Sequence, residues 1–239
     1  MIIDIEKCIG CSKCLIYCPV NAISKKGNKS EIDLDECVEC GCCKRSKVCP
    51  KDAIYQQELT WPRSIRSIMS DVFTICVETS VSGRGTEEMK TNDVTGRFPK
   101  GCAGLAIEVG RPIAGCRFKQ VEKIAMAVAK SGGICFEKSN PITTLMVDPT
   151  TGKFKDDVLN EKVYSAILEF AVPIERVPEV LVVIKDIASK IDTVFSLGIC
   201  TRVDDEDSMP ALKVANEADC WISINGKTNV GLGKPFKED

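Results

Sequence analysis

Residues 1–58 read MIIDIEKCIGCSKCLIYCPVNAISKKGNKSEIDLDECVECGCCKRSKVCPKDAIYQQE and contain more than half of the cysteines of the chain. Eight of these cysteines form two blocks of one design: Cys8, Cys11, Cys14 and Cys18 in the first block, and Cys37, Cys40, Cys43 and Cys49 in the second. In each block, three cysteines are spaced by two residues and a fourth stands before a proline. Gaps of two residues let a tight loop point three sulfurs at one centre, so the pattern predicts two metal-binding loops.

The sequence around the cysteines is also repeated. Residues 3–8 (IDIEKC) match residues 32–37 (IDLDEC), and residues 18–23 (CPVNAI) match residues 49–54 (CPKDAI). The first block reads CxxCxxCxxxCP, the bacterial pattern for a 4Fe-4S cluster, in which the fourth cysteine binds the other cluster when two are present. The two blocks therefore predict an electron-transfer protein with paired clusters.

With these motifs, residues 1–58 resemble the bacterial dicluster ferredoxins, and the resemblance covers about a quarter of the chain. It implies a small pseudo-twofold fold with two 4Fe-4S clusters. It assigns Cys8, Cys11, Cys14 and Cys49 to the first cluster, and Cys37, Cys40, Cys43 and Cys18 to the second. Five residues, 44–48, separate Cys43 from Cys49 where the first block has three, which makes Cys42 the alternative to Cys49 as a ligand.

Other uses of paired cysteines fit this pattern less well. Zinc is redox-silent and commonly bound by four Cys and His ligands in a tetrahedron, whereas these runs are closely packed and end in Cys-Pro. A disulfide framework is not expected, since no signal peptide precedes Met1 and cytosolic thiols stay reduced. Of the 15 cysteines, 15 − 8 = 7 lie outside the motif. Such free use of thiol indicates an anaerobic setting.

Length and composition predict a two-domain protein in the cytoplasm. A chain of 239 residues accommodates a cluster domain at 1–60 and a larger domain at 61–239, with Trp61-Pro62 at the boundary. Its net charge of −2 gives no electrostatic reason to expect nucleic acid or anionic membrane as a partner, and no apolar run is long enough to span a bilayer. The chain has no histidine, so imidazole is excluded as a base and as a metal ligand.

The larger domain has the pattern of an α+β fold. Its periodicity predicts helices at 118–130, 174–189 and 210–217, and strands at 72–78, 105–109, 134–136, 143–147, 163–172, 193–200 and 221–224. Two strand-helix-strand rounds suggest a sheet covered by helices on one face. The domain is expected to be an open-faced sandwich that resembles the ferredoxin-like or ACT-like plaits.

A glycine-bearing polar loop at residues 83–97 is the least ordinary stretch outside the cysteine blocks. Arg84, Lys90 and Arg97 with the loop backbone are candidates to bind a phosphate or carboxylate, although the loop matches no phosphate-binding signature. A polar surface loop is the alternative. Residues 84–98, RGTEEMKTNDVTGRF, are similar to 6-hydroxynicotinate reductase-like iron-sulfur proteins of anaerobes. That resemblance implies a reductase in which the clusters feed a flavin or a substrate.

Two further groups of residues have both functional and structural interpretations. Cys102 and Cys116 would supply a third metal centre or a reactive thiol if the fold brought them together, but isolated cysteines are commonly small buried hydrophobes. Lys44, Arg45 and Lys47 form a basic edge that would raise a cluster potential or guide an acidic redox partner. A solvated helix face is the structural alternative for that edge.

The leading hypothesis is an iron-sulfur protein that passes electrons, one at a time, from a low-potential donor to a partner oxidoreductase. In this hypothesis the larger domain serves docking or oligomerisation, within a homo-oligomer or as a subunit of a larger complex. The first alternative is a reductase with a flavin or substrate site at the polar loop. The second is a ligand-sensing protein that regulates electron flow.

Overall fold

The computed structural model describes residues 1–80, 82, 100–111, 115–202 and 209–224. The strands are β1 (Ile2–Ile3), β2 (Ile23–Lys26), β3 (Lys29–Ile32), β4 (Ile54–Tyr55), β5 (Cys102–Val109), β6 (Cys116–Arg117), β7 (Cys135–Phe136), β8 (Met146–Asp148), β9 (Lys153–Phe154), β10 (Lys162–Val163), β11 (Ala166–Pro173) and β12 (Phe195–Thr201). The helices are α1 (Cys42–Arg45), α2 (Ser64–Ser70), α3 (Phe118–Lys130), α4 (Val177–Ala188) and α5 (Pro210–Glu217). The predicted anion-binding residues Arg84, Lys90 and Arg97 lie outside the described residues.

The N-terminal unit is built on the sequence repeat. β1 pairs with β4 and β2 pairs with β3, both antiparallel, so the start of the unit is joined to its end. Its small core contains four isoleucines at equivalent repeat positions, Ile3 and Ile32, and Ile23 and Ile54. The repeat is therefore a structural pseudo-twofold as well as a sequence match.

A four-stranded antiparallel sheet forms the centre of the second unit. Its order is β12-β5-β11-β7. Leu105, Ile107 and Val109 alternate along β5 and are fully buried, which is the period of a strand with one face against a core. Ile107 lies opposite Leu168 of β11 and Leu197 of β12. The buried face of the sheet and helices α3 and α4 belong to one hydrophobic core.

Helix α3 directly follows the short strand β6, helix α4 follows the long strand β11, and the two helices pack against each other. α3 occupies the predicted residues 118–130, and Gly132 and Gly133 beyond it have φ of 75° and 69°, a left-handed conformation that stops a helix. A 3-10 turn at Ile174–Arg176 leads into α4. α5 also has its predicted bounds, residues 210–217.

Four predicted strands differ from the structure. The strand predicted at 163–172 is divided into β10 and β11, which belong to different sheets. Residues 72–78 form turns and one isolated antiparallel bridge, between Ile75 and Ser82, in place of a strand. The Asp71 carboxylate accepts the Phe73 N–H at 3.1 Å, which competes with strand pairing. Residues 143–147 begin with a 3-10 turn, and the strand is the later β8. Residues 221–224 are not a strand, and the side chain of Trp221 is 84% exposed, so its apolar character is not used in a core.

The two units meet around one buried arginine. Arg66 of α2 is 3% exposed. Its guanidinium donates to the carbonyl oxygens of Leu34 at 3.1 Å, Asp35 at 2.8 Å and Cys37 at 2.8 Å. Its Nε also pairs with Glu161 of the second unit. Arg66 thus binds the chain that leads into the second cysteine block to the larger unit.

Charged side chains reinforce the same joint. Arg117 of β6 donates to Asp35 at 2.7 Å and to Glu36 at 2.8 Å, and Lys162 of β10 also pairs with Glu36. The Arg117 guanidinium holds the pKa of the Asp35 carboxyl below its usual range. Residues 35–37 are therefore bound on several sides by the second unit.

No helix among the described residues is long and apolar enough to cross a membrane.

Arg66→Met tests the contribution of this joint to stability. The substitution leaves Glu161 and three carbonyl groups without their shared buried cation, so we expect the free energy of unfolding to fall by about 3–5 kcal/mol. The measurement is the urea midpoint of anaerobically purified protein. Arg111→Met is the matched control, because Arg111 pairs with Glu108 at 44% exposure and surface pairs contribute about 1 kcal/mol or less. Equal effects of the two substitutions would contradict a structural role for Arg66.

Candidate iron-sulfur site

Four cysteines surround a first cavity in the N-terminal unit. They are Cys8, Cys11, Cys14 and Cys49. The remaining wall includes Ile3, Ile54 and Ser30. Cys49 belongs to the second block by sequence, so this cavity takes three sulfurs from one block and the fourth from the other.

A second cavity has the reciprocal composition. It is lined by Cys37, Cys40 and Cys43 of the second block and by Cys18 of the first. The two cavities leave comparable space, about 320 Å³ in the first and about 290 Å³ in the second, part of it open to solvent. The structure thus brings together the two sets of cysteines that the ferredoxin resemblance implies.

Tight turns at equivalent positions shape the two loops. Gly10 has φ of 69°, and a Cβ at this position would lie 1.9 Å from the carbonyl oxygen of Asn28, so only glycine fits. Its counterpart Glu39 has φ of 55° and a fully buried side chain. Burial by itself raises the pKa of the Glu39 carboxyl, but the Met1 ammonium and the Arg63 guanidinium hold that pKa below its usual range.

Backbone N–H groups point at the sulfurs. The N–H of Ala22 donates to Cys18 Sγ at 3.1 Å, and the equivalent N–H of Ala53 donates to Cys49 Sγ at 3.3 Å. Hydrogen bonds to anionic sulfur stabilise the thiolate and help to set the potential of a bound cluster. The loops therefore provide thiol ligands together with donors for their negative charge.

The two sets of thiols differ in electrostatic environment. The backbone N–H of Ser30 lowers the pKa of Cys8, against an opposing effect of burial and with further help from Gly10 and Lys29. Burial raises the pKa of Cys14 in the first set and of Cys37 in the second, and it raises the pKa of Cys40 to about 12 and of Cys43 to about 11. Since metals bind thiolate, metal binding would displace protons from buried thiols in both sets.

The donor sets fit a cluster cofactor. A cubane uses one thiolate for each iron, so its four sulfurs surround a cavity and do not converge on one point. Within the ranges that the structure describes, no group of three or more Cys, Asp or Glu side chains is arranged to hold a single metal ion. The fit rests on the two rings of four thiols and on the N–H donors beside them.

The longer spacing in the second block does not displace Cys49. The additional residues form α1 and a turn at Lys47, whose φ is 51°, and the chain then returns to the first cavity at Cys49. Cys42 is exposed and lines neither cavity.

The predicted basic edge is exposed, and one of its residues also contacts the protein. Lys44, Arg45 and Lys47 are all exposed. Arg45 pairs with Asp71 at 2.9 Å, donates to the Cys40 carbonyl oxygen at 2.5 Å and lies 5.1 Å from the centre of the Phe73 ring. Arg45 therefore links the second cysteine loop to the residues that follow α2.

Sequence reasoning missed the side chains that support the second loop. Arg63 donates to Glu39 Oε1 at 2.5 Å and 2.9 Å, and Arg66 reaches the Cys37 carbonyl oxygen. The only sequence signal is that Arg63 and Arg66 are three residues apart, which places them on one face of a helical segment. Their partners are distant in sequence and include main-chain atoms, which leave no residue pattern.

The structure separates Cys102 from Cys116. Cys116 Sγ contacts the carbonyl oxygen of Val109, at the end of β5 opposite to Cys102. An eight-residue strand is roughly 23 Å long between its end residues. The hypothesis of a third metal centre shared by these two cysteines is therefore wrong. Burial raises the pKa of Cys116 to about 12, as expected for a small hydrophobic residue of the core.

Comparison with known proteins agrees with this geometry. The 4Fe-4S binding domain family matches residues 1–24. A 7Fe ferredoxin of Hydrogenibacillus schlegelii is 40% identical over 55 residues, which are 22% of this chain and 68% of that protein. The chain belongs to the 4Fe-4S ferredoxin family. Its N-terminal unit is a 4Fe-4S ferredoxin domain.

Two further relatives match this ferredoxin domain. The pyruvate synthase subunit PorD of Methanothermobacter marburgensis is 42% identical over 52 residues, 22% of this chain and 58% of PorD. A ferredoxin of Alicyclobacillus acidocaldarius is 43% identical over 53 residues, 21% of this chain and 65% of that protein. The chain thus spans between half and two thirds of the length of these two relatives. The similarity to 6-hydroxynicotinate reductases remains a prediction.

Cys49→Ser and Cys42→Ser separate the two candidates for the fourth ligand of the first set. We expect Cys49→Ser to lose about four irons, those of one cubane, and Cys42→Ser to keep the iron content of the unaltered protein, because Cys42 lines neither cavity. The measurement is iron per chain after anaerobic purification. Iron loss in Cys42→Ser without loss in Cys49→Ser would transfer the ligand role to Cys42.

Proposed function

We propose that this protein binds two 4Fe-4S clusters and relays electrons between them and a partner oxidoreductase. Cys8, Cys11, Cys14 and Cys49 would bind the first cluster, and Cys37, Cys40, Cys43 and Cys18 the second. The single observation that supports this proposal most is the pair of cavities, each lined by four cysteines in the crossed arrangement. When bound, each cluster takes up or gives one electron.

Solvent exposure differs between the two blocks and indicates which of them a redox partner would contact. Ile9 in the first block is 57% exposed, whereas its repeat counterpart Val38 is 1% exposed. Cys11 is also exposed, and its counterpart Cys40 is half-buried. We infer that a redox partner docks at the first block, while the second block faces the larger unit of the chain.

The names of the relatives support a partner protein. PorD is a subunit of a pyruvate synthase. By analogy, we propose that this chain acts as a subunit of an oxidoreductase complex or exchanges electrons with such an enzyme, with homo-oligomerisation as an alternative. An anaerobic, cytoplasmic setting remains the prediction from the cysteine content.

For the larger unit we propose a ferredoxin-like or ACT-like plait at residues 61–239, after a cluster domain at 1–60. The four strands of the central sheet and the two long helices follow one another along the chain as β5, α3, β7, β11, α4 and β12, which is strand-helix-strand twice. The sheet order β12-β5-β11-β7 fits the topology of a ferredoxin-like plait. The division is supported by two hydrophobic cores, one in residues 1–54 and one in residues 65–214. We propose docking or oligomerisation as the role of this unit.

The reductase alternative depends on residues that the structure does not describe. Arg84, Lys90 and Arg97 would bind the flavin or substrate, and no feature of the described residues favours a flavin. The sensing alternative likewise has no described ligand site. Electron transfer therefore has the better support.

Metal analysis tests the proposal directly. We expect about eight irons and about eight acid-labile sulfides per chain after anaerobic purification, because two cubanes contribute four of each. About seven irons, the number in the name of the Hydrogenibacillus relative, or about four would contradict two complete cubanes. Viologen-driven reduction of the iron-sulfur absorbance without a flavin band would favour electron transfer over the reductase alternative.

A further inference from the structure

One buried hydroxyl faces the first cavity with only a cysteine sulfur in reach. Ser30 on β3 is 1% exposed, and its Oγ makes no hydrogen bond of regular geometry among the described residues, although it interacts with the Cys14 thiol. Ser30 lines the cavity formed by Cys8, Cys11, Cys14 and Cys49. A buried hydroxyl costs free energy unless it donates or accepts a hydrogen bond, so this position calls for an acceptor inside the cavity.

Other polar groups near the cavity already have partners. The Ser12 hydroxyl donates to the carbonyl oxygen of Gly10 at 3.4 Å. The Lys29 ammonium donates to the carbonyl oxygen of Cys8. Ser30 and Ile32 point to the same side of β3, as the strand period of two requires, and both are buried. The Ser30 hydroxyl is therefore held at the cavity by a regular strand and not by a loose loop.

The pseudo-twofold provides an internal comparison for this hydroxyl. The repeat offset of 29 residues that relates Cys8 to Cys37 relates Met1 to Ser30. Met1 lines the second cavity as Ser30 lines the first. A thioether has no proton to donate, whereas a hydroxyl has one. The first cavity thus has a donor that the second lacks at the equivalent position.

We propose that the Ser30 hydroxyl donates a hydrogen bond to a sulfur of the first cluster and makes that cluster the easier of the two to reduce. This inference rests on the proposed function, since it requires clusters in both cavities. A reduced cluster has one more negative charge than an oxidised one, and a hydrogen bond to sulfur stabilises the more negative state. Ser30 would therefore act on the potential of the cluster through a hydrogen bond and would not bind iron.

The test is a redox titration of the full-length, anaerobically loaded protein, followed by electron paramagnetic resonance. We expect Ser30→Ala to lower the equilibrium constant for reduction of the more easily reduced cluster about tenfold, which is about 59 mV for a one-electron couple. The potential of the less easily reduced cluster should not change. Ser24→Ala is the matched control, because Ser24 is exposed on β2 of the same hairpin.

A second pair of variants keeps the test informative if Ser30→Ala loads poorly. Ser30→Thr and Ser30→Val have nearly the same shape and differ in the hydroxyl. We expect Ser30→Thr to retain the higher potential and Ser30→Val to lose it. Equal potentials in Thr and Val variants that contain about eight irons would overturn the inference, as would equal shifts of both clusters in Ser30→Ala.

Iron content distinguishes failure of this inference from failure of the proposed function. An unaltered protein with about four or seven irons would overturn the two-cluster proposal. If the protein has the full iron content and neither cluster potential changes when the Ser30 hydroxyl is removed, only the role of Ser30 is overturned.

Discussion

In the N-terminal unit, each cavity is lined by cysteines of both blocks. Cys18 of the first block lines the second cavity, and Cys49 of the second block lines the first. Neither cavity is complete without both blocks, so the unit assembles as a whole. A unit of this size buries little apolar surface, and metal binding to thiolates then contributes directly to its folding free energy.

Sequence reasoning succeeds where a local pattern has a single structural solution. The cysteine spacing predicts both rings of thiols, and Gly132 and Gly133 predict the end of α3. It fails at residues 72–78, where apolar content suggests a strand but the side chain of Asp71 closes a turn. The contacts of Arg66 with the second loop could not be predicted from the sequence either, because Glu161 is 95 residues away and the other acceptors are main-chain oxygens.

The repeat is symmetric in sequence and asymmetric in surroundings. Among the described residues, the second block is tied to the larger unit through Arg66 and the Cys37 carbonyl oxygen, and Val38 is buried where Ile9 is exposed. Glu39 also stands where the first block has Gly10, and its carboxylate is bound by Arg63. The second block thus has a buried carboxylate, bound by Arg63, at the position where the first block has a glycine in a tight turn. Two loops with the same cysteine spacing therefore have different access to solvent.

The joint between the two units has a consequence for evolutionary drift. Arg66 recognises main-chain carbonyls at Leu34, Asp35 and Cys37, and a carbonyl oxygen is present whatever the side chain. Substitutions at Leu34 can accumulate without loss of that contact, whereas a change at Arg66 removes all of these hydrogen bonds at once. Mutational tolerance at this boundary is therefore unequal between Leu34, which contributes a main-chain oxygen to the contact, and Arg66, which contributes its guanidinium.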